Sequence, residues 1–344
     1  MKLTGPVRVI LLLACFVAPL RLAHAAIVDT DFVALALARG AILWDVRSEE
    51  EYNKAHIAGA VNLDDPQNVL RDGKNEDLLP IPELERILGE LGIDPSKEIV
   101  VYGSKGMPSA YFAEQALRYL GADKVSVYHG GFDDWKAAGK SAGAQRTVLP
   151  PVAFEAKLRK DRMVSTQDVL ARLDRPDVQF VDARTTKEFS GDDIRALRGG
   201  HIPGALNIPY EYNWVDPDTP RKLQRKQVQN KDGMRLKSRE ELKALYAALD
   251  PEKETIVYCQ SGSRSAVTAT VLEELGFKNV KLYDGSWLAY GNTFDLPAQN
   301  VSYFNVGRVN GMLNQMQSRI DALEAELEAL KSHDHLTPAA VRKP

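Results

Sequence analysis

Three separate stretches of the first half of this chain recur in the second half, so one folding unit is written twice. Leu43-Trp44-Asp45-Val46-Arg47 lies over Phe180-Val181-Asp182-Ala183-Arg184, and His56-Ile57-Ala58-Gly59-Ala60-Val61-Asn62 lies over His201-Ile202-Pro203-Gly204-Ala205-Leu206-Asn207. The third match sets Val101-Tyr102-Gly103-Ser104-Lys105-Gly106-Met107-Pro108-Ser109-Ala110 over Val257-Tyr258-Cys259-Gln260-Ser261-Gly262-Ser263-Arg264-Ser265-Ala266. There Gly103 stands opposite Cys259 and Pro108 opposite Arg264. The first copy keeps the loop and lacks both reactive groups.

Each copy alternates strand-like and helix-like patterns. In the second, the spacing predicts helices over Gln167–Leu173, Arg239–Leu249 and Ala266–Leu275, and strands over Val178–Val181, Thr255–Tyr258 and Val280–Tyr283. This is an α/β pattern: two tandem domains, each with a mostly parallel central sheet flanked by helices. The first domain is placed at 27–139, a linker containing Pro150-Pro151 at 140–162 and the second domain at 163–292. Ligands in open sheets of this kind bind beyond the carboxyl ends of the strands, which is where Cys259 falls. Asp45, Asp182, His56 and His201 occur in both copies, including the one without a thiol, so they are expected to pin turns and strand ends. A general-base role for His201, whose side-chain type titrates near neutrality, is the lesser alternative.

Cys259 is one of only two cysteines, and the other, Cys15, sits in an apolar N-terminal run. Residues 1–25 read as a secretory signal, with Lys2 and Arg8 near the start, Val9 to Leu20 as the apolar core and Ala23-His24-Ala25 as a small-x-small cleavage site. Leu12-Leu13-Ala14-Cys15 also admits a lipoprotein site that would anchor the chain through Cys15. No later segment approaches the roughly 18 to 20 apolar residues that span a bilayer. An exported, most simply periplasmic, location follows, with secretion as the alternative. In such an oxidising compartment a lone cysteine is a hazard unless it is used. The net charge of −3 gives no electrostatic case for binding nucleic acid.

A β-branched run ends at Cys259, small residues follow, and an apolar helical pattern then resumes. The thiol therefore crowns a strand-to-helix turn, where loop amides and a helix N-terminus favour negative charge. A free thiol near pKa ~8.5 is only a few per cent ionised at neutral pH, so those groups and Arg264 are expected to favour the thiolate.

Taken together, these motifs make the chain resemble the tandem rhodaneses, the sulfurtransferase family, over roughly residues 27–292. The resemblance implies two rhodanese-like domains, an inactive N-terminal one and a catalytic C-terminal one in which Cys259 cycles through a persulfide. Gln260, Ser261, Gly262, Ser263, Arg264 and Ser265 become the candidate substrate-binding loop, and Arg184 joins them if it leans toward the mouth rather than pairing with Asp182. The expected partners are a small anionic sulfur donor and a thiol, cyanide or thioredoxin-like acceptor, with no metal or organic cofactor required. Cys259 to Arg264 is Cys-x4-Arg, as in the sulfurtransferase loop, whereas related phosphatases and arsenate reductases use one residue more. The loop departs from the Cys-Gly-Ser-Gly-Val-Thr typical of mercaptopyruvate-specialised members, and Glu188 has the wrong charge where two-domain members tend to carry a substrate-binding arginine. Thiosulfate or a low-molecular-weight persulfide is thus the expected donor. A non-enzymatic sulfur carrier or scaffold is the rival of a different class.

Beyond a connecting segment at 293–308, Leu313, Met316, Ile320, Leu323, Leu327 and Leu330 alternate three- and four-residue spacings within a helix expected over 309–332. Self-association through this coiled-coil-like seam and docking back onto the domains weigh equally, with a partner protein's helix third. The basic cluster Arg221, Lys222, Arg225, Lys226 and Lys231 reads as a solvated insertion, with at most a weak role in attracting anionic donors. His333 and His335, in a polar tail at 333–344, do not make a metal site. Asn300-Val301-Ser302 matters only in a host that glycosylates secreted proteins.

Overall fold

The computed structural model describes residues 26–73 and 77–334, the last three of these by their helical backbone alone. The signal over 1–25, Cys15 and the histidines of the tail lie outside the residues whose side chains are described.

Each repeat builds a five-stranded, wholly parallel sheet, and the two sheets share one strand order. The first runs Ile27–Val28, Val125–Tyr128, Ile99–Tyr102, Ile42–Asp45, Val61–Asn62; the second runs Met163–Val164, Asn279–Tyr283, Glu254–Tyr258, Val178–Asp182, Leu206–Asn207. Helices cover both faces, so a central strand is buried on both sides and carries an unbroken β-branched run. Ile256, Val257 and Tyr258 are accordingly fully buried, and so are Ile99, Val100, Val101 and Tyr102 in the first repeat.

The duplicated polar residues hold the frame. Asp45 takes the Arg47 guanidinium on both oxygens and Asp182 takes Arg184 likewise, with closest contacts of 2.6 Å in each repeat. Both arginines also bond a backbone carbonyl, Ala55 at 2.8 Å and Gly200 at 2.7 Å. His56 stacks on Tyr52 and His201 on Phe189, at 3.7 and 3.6 Å between ring centres, and each histidine is bonded through both ring nitrogens. Asn62 and Asn207 tie the following strand to the carbonyls of these Asp-x-Arg turns.

Element ends differ from the sequence expectation where capping chemistry intervenes. The helix expected from Gln167 spans Thr166–Leu170, set by a reciprocal Ser165/Asp168 capping box, and the one expected to Leu249 ends at Leu245. More consequential is the helix expected from Ala266. It starts at Ser263, so Arg264 lies in its first turn rather than in a loop.

The two domains form one packed body. Helix Pro108–Tyr119 of the first lies on Ser263–Leu275 of the second, and Ala266, Val267 and Leu282 share a core with Tyr111, Phe112 and Leu117. Across this seam Arg118, which also bonds Glu114 of its own helix at 2.9 Å, reaches Glu273 at 2.5 Å, and Arg162 reaches Glu273 at 2.5 Å. The segment 140–162 is no free linker. Its backbone bonds to Gly89, Leu120 and Tyr119, and Phe154 is buried in the first domain's core. The basic insertion is likewise not simply solvated: Lys231 pairs with Asp133 of the first domain and Lys222 with Asp216. The segment 293–308 contributes the strand Gln299–Tyr303, antiparallel to Arg198–His201. The last helix, Val306–Asp334, does not dock back on the domains: its seam residues are 46% exposed at Ile320 and 67% at Leu330. Among the described residues no helix is long and apolar enough to cross a membrane.

Candidate active site

The strand Glu254–Tyr258 delivers Cys259 to the carboxyl edge of the second sheet, beside the helix Ser286–Gly291. The Cys259 amide donates to Ser286 Oγ at 3.2 Å, and its carbonyl accepts from the Trp287 amide at 3.0 Å. The chain then turns into the helix Ser263–Leu275 through Gly262, at φ +86°. Glycine is required here twice over, by the left-handed backbone and by space. A Cβ would lie 2.7 Å from Arg71 Nη2 and 2.9 Å from Asp284 Oδ1. Arg71 comes from the first domain, packs over Phe112 and pairs with the partly buried Asp284 at 2.5 Å. The thiol-free domain thus supports the turn after Cys259. Desolvation pushes the Asp284 carboxyl up, although Arg71 opposes the shift.

The Cys259 side chain is 1% exposed, against Val181, Ala183, Ile208 and Tyr246. Ser265, in the first turn of the helix, lies with Oγ 3.4 Å from Sγ and 2.9 Å from the Gly262 carbonyl. Two buried polar atoms of the loop, Ser263 Oγ and Gln260 Oε1, have no protein partner, while Gln260 Nε2 donates to the Arg195 carbonyl at 2.6 Å. Buried polar atoms without partners are uncommon in folded proteins; here two belong to the loop that follows Cys259. The Ser261 side chain is partly buried.

Arg264 meets Glu188 in a two-pronged pair, at 2.7 and 2.8 Å. Burial works against the charge of Arg264, but the Glu188 hydrogen bonds and the attraction of Cys259, Glu188 and Glu211 outweigh it and raise its pKa. Burial likewise pushes Glu188 up, and the bonds from Arg264 and Thr185 overturn that, bringing its carboxyl down to about 2. Arg195, about half exposed, stands 3.5 Å from the same carboxylate. Glu211, whose Oε2 is buried without a partner, is held above the ordinary carboxylate range by desolvation.

The structure brings Cys259, Gln260, Gly262, Ser263, Arg264 and Ser265 together, and leaves Arg184 out. Its guanidinium is locked on Asp182 and packs over Trp287 at 4.7 Å, 1% exposed, so it serves the frame rather than the mouth. His201, bonded to Phe189 O and Gln299, is likewise structural. Sequence reasoning noted Glu188 only for its wrong charge and did not pair it with Arg264. The local signal available was the capping box Thr185-x-x-Glu188, which fixes the carboxylate's position but not its partner. Arg71, Asp284, Glu211 and Ser286 carried no signal. Among the described residues no three His, Cys, Asp or Glu side chains converge as a metal site. A cleft of about 780 Å³ between the domains, lined in part by Tyr119, Lys160 and Tyr283, does not include Cys259.

Residues 29–138 and 165–293 each match the family described as rhodanese-like domain. A protein named putative thiosulfate sulfurtransferase from Mycolicibacterium smegmatis is 34% identical over 260 residues, covering 72% of this chain and 87% of that one. The 3-mercaptopyruvate sulfurtransferase of Escherichia coli is 34% identical over 258 residues, with 73% and 86% covered. The crystal structure of a 3-mercaptopyruvate sulfotransferase from Escherichia coli superposes with a TM-score of 0.63 at 31% identity, over 76% of this chain and 99% of that one. An anaerobic ergothioneine biosynthesis enzyme from Chlorobium limicola shares the fold, with a TM-score of 0.68 at 22% identity over 80% of this chain and 70% of that one. With both halves matched and one thiol set at the sheet edge of the second, the chain belongs to the rhodanese family and is a two-domain sulfurtransferase.

Proposed function

We propose that this enzyme takes sulfane sulfur from thiosulfate or a low-molecular-weight persulfide onto Cys259 and passes it to cyanide, a small thiol or a thioredoxin-like protein. The observation that carries the proposal is the setting of Sγ, buried to 1% exposure with a serine hydroxyl and a helix start against it. A donor has to offer a slender terminal sulfur to reach it. The Cys259 thiolate attacks the outer sulfur of thiosulfate, the S–S bond breaks, and its electron pair leaves with sulfite. Cys259 then carries the persulfide anion, facing the positive end of the helix. Cyanide carbon takes the outer sulfur as thiocyanate, and the pair returns to Sγ. Because Arg264 is already neutralised by Glu188, the site carries less positive charge than its arginine suggests. This supports donors whose recognition rests on the sulfur rather than on a carboxylate.

The thiosulfate and cyanide assay beside Cys259→Ser is the test. The wild type is expected to form thiocyanate and gain the mass of one sulfur atom on Cys259, and the variant to do neither. Absence of both in the wild type with every sulfur donor sinks the proposal.

Export belongs to the same proposal. The Ala26 backbone nitrogen lies 2.6 Å from Glu274 Oε1, so a chain cleaved after Ala25 would set its new ammonium on a carboxylate. N-terminal sequencing of the protein recovered from the periplasm tests this, and an intact Met1 overturns it.

A further inference from the structure

The helix Val306–Asp334 runs 29 residues, about 44 Å at 1.5 Å per residue. Its apolar seam is unoccupied by the other described residues: Leu313, Met316, Ile320, Leu323, Leu327 and Leu330 are all exposed. Val306 and Val309 extend the same three-four spacing toward the body of the molecule. Val306, Leu313, Ile320 and Leu327 then take the a positions of a heptad, and Val309, Met316, Leu323 and Leu330 the d positions.

The flanks say what covers this seam. At the g positions stand Met312, Arg319 and Glu326, and at the e positions Gln317, Glu324 and Lys331. In a parallel two-stranded coil each g residue faces the e residue of the next heptad on the other strand. Two in-register copies therefore set Arg319 against Glu324 and Glu326 against Lys331, each pair made twice, with no like charges opposed. Slipping one strand by a heptad sets Arg319 against Lys331 and Glu326 against Glu324. An antiparallel pair with all eight seam residues matched sets Arg319 against Arg319. Among the described residues none of these four charges has an ion-pair partner within its own chain.

We infer that the helix is a parallel, in-register coiled coil with a second copy of this chain, making the enzyme a dimer whose two bodies sit at one end of a shared stalk. The apolar seam supplies the attraction, and the flanking charges select partner, direction and register.

Light scattering and sedimentation of the full chain at micromolar concentration are expected to give the mass of two chains. Ile320→Lys combined with Leu327→Lys, at exposed positions remote from both cores, is expected to halve that mass with sulfurtransferase turnover per chain retained. Arg319→Glu opposes like charges twice and is expected to weaken the dimer about tenfold, and adding Glu324→Arg restores it. In a Cys259→Ser background, Leu330→Cys is expected to give a disulfide-linked pair on oxidation, above the level of the same background without it. A one-chain mass for the full chain, or a species larger than two chains, overturns the inference. So does a dimer indifferent to the Ile320→Lys and Leu327→Lys pair, or Leu330→Cys chains that stay unlinked while a mixture with Leu313→Cys chains links.

Discussion

Ser265 holds one proton between two acceptors, the Gly262 carbonyl at 2.9 Å and Cys259 Sγ at 3.4 Å. The nearer carbonyl is the better acceptor while the sulfur is protonated, and the balance reverses as Sγ becomes an anion. Hydrogen bonds to charged groups contribute about 1.5–3 kcal/mol, so Ser265→Ala is expected to slow both thiosulfate turnover and thiol alkylation about tenfold. Unchanged rates would mean that the proton stays on the carbonyl throughout. Glu188 acts on the other side of the site by neutralising Arg264. Glu188→Gln frees that guanidinium for an anionic donor, so KM for thiosulfate is expected to fall several-fold while stability drops by about 2 kcal/mol. A KM that rises or stays constant shows that Arg264 never meets the donor. Because this carboxyl is depressed to about 2, the stability its pair contributes is fully present above the ordinary carboxylate range and is lost progressively as pH falls from that range through about 2. Any loss of activity between pH 8 and 5 therefore has another origin, and pH–rate profiles of the wild type and Glu188→Gln should bend at the same place.

The element that decides which repeat is chemical is the turn after the central strand. In the first repeat a Cβ on Gly103 would stand 2.6 Å from Met107 Sδ, so the methionine occupies the space a thiol would need. Trp214 and Met234 of the second domain close the same turn from outside, 3.3 and 3.0 Å from where a Cβ on Gly106 would lie. Gly103→Cys in a Cys259→Ser background is therefore expected to gain no persulfide on incubation with thiosulfate, and to lose about 1–3 kcal/mol of stability by overpacking. A sulfur adduct on the new cysteine would show that the turn opens. The repeat made both sheets, the Asp-x-Arg pins and this silent turn legible, because each rests on contacts at short range or at offsets written twice. Asp182 and Arg184 are two residues apart, and the pairing can be read from the pattern alone. Glu188 and Arg264 are 76 residues apart, and no local signal joins them. The anchoring of the strap at 140–162 and the start of the helix at Ser263 escape the sequence for related reasons. Backbone bonds to Leu120 hold the strap, and the left-handed Gly262 starts the helix early, neither of which apolar periodicity records.

At the scale of the whole molecule the thiol-free domain is an integral support, and His129 marks where its attachment is expected to be sensitive to acid. The ring is buried at the contact between the first domain and the insertion of the second. Its Nδ1 lies 2.7 Å from the Tyr111 hydroxyl and its Nε2 2.8 Å from the Met234 carbonyl. With Tyr111 donating to Nδ1, the neutral ring donates from Nε2, and the site is satisfied without a charge. Burial is the largest influence and lowers the pKa to about 4, the Met234 bond and Asp134 opposing it and Lys105 adding to it. The unfolded chain protonates this histidine near pH 6.5, whereas the folded one resists until about 4. Stability is thus complete above the unfolded value and falls as pH drops through the window between them. A shift of this size corresponds to about 3 kcal/mol at the acid end. Urea unfolding is expected to show a midpoint that declines from pH 7 to 4.5. His129→Gln, which cannot titrate, should start from a lower midpoint and decline less steeply. Parallel slopes for the two proteins would move the acid sensitivity elsewhere in the molecule. The expected slope also predicts where loosening begins: the Lys231–Asp133 pair, the Lys105–Asp232 pair and the Met234 contact bind the insertion over the turn at Gly103. Protonating His129 weakens that docking before either sheet opens, so hydrogen exchange at pH 4.5 should rise first in residues 230–236 and 103–107.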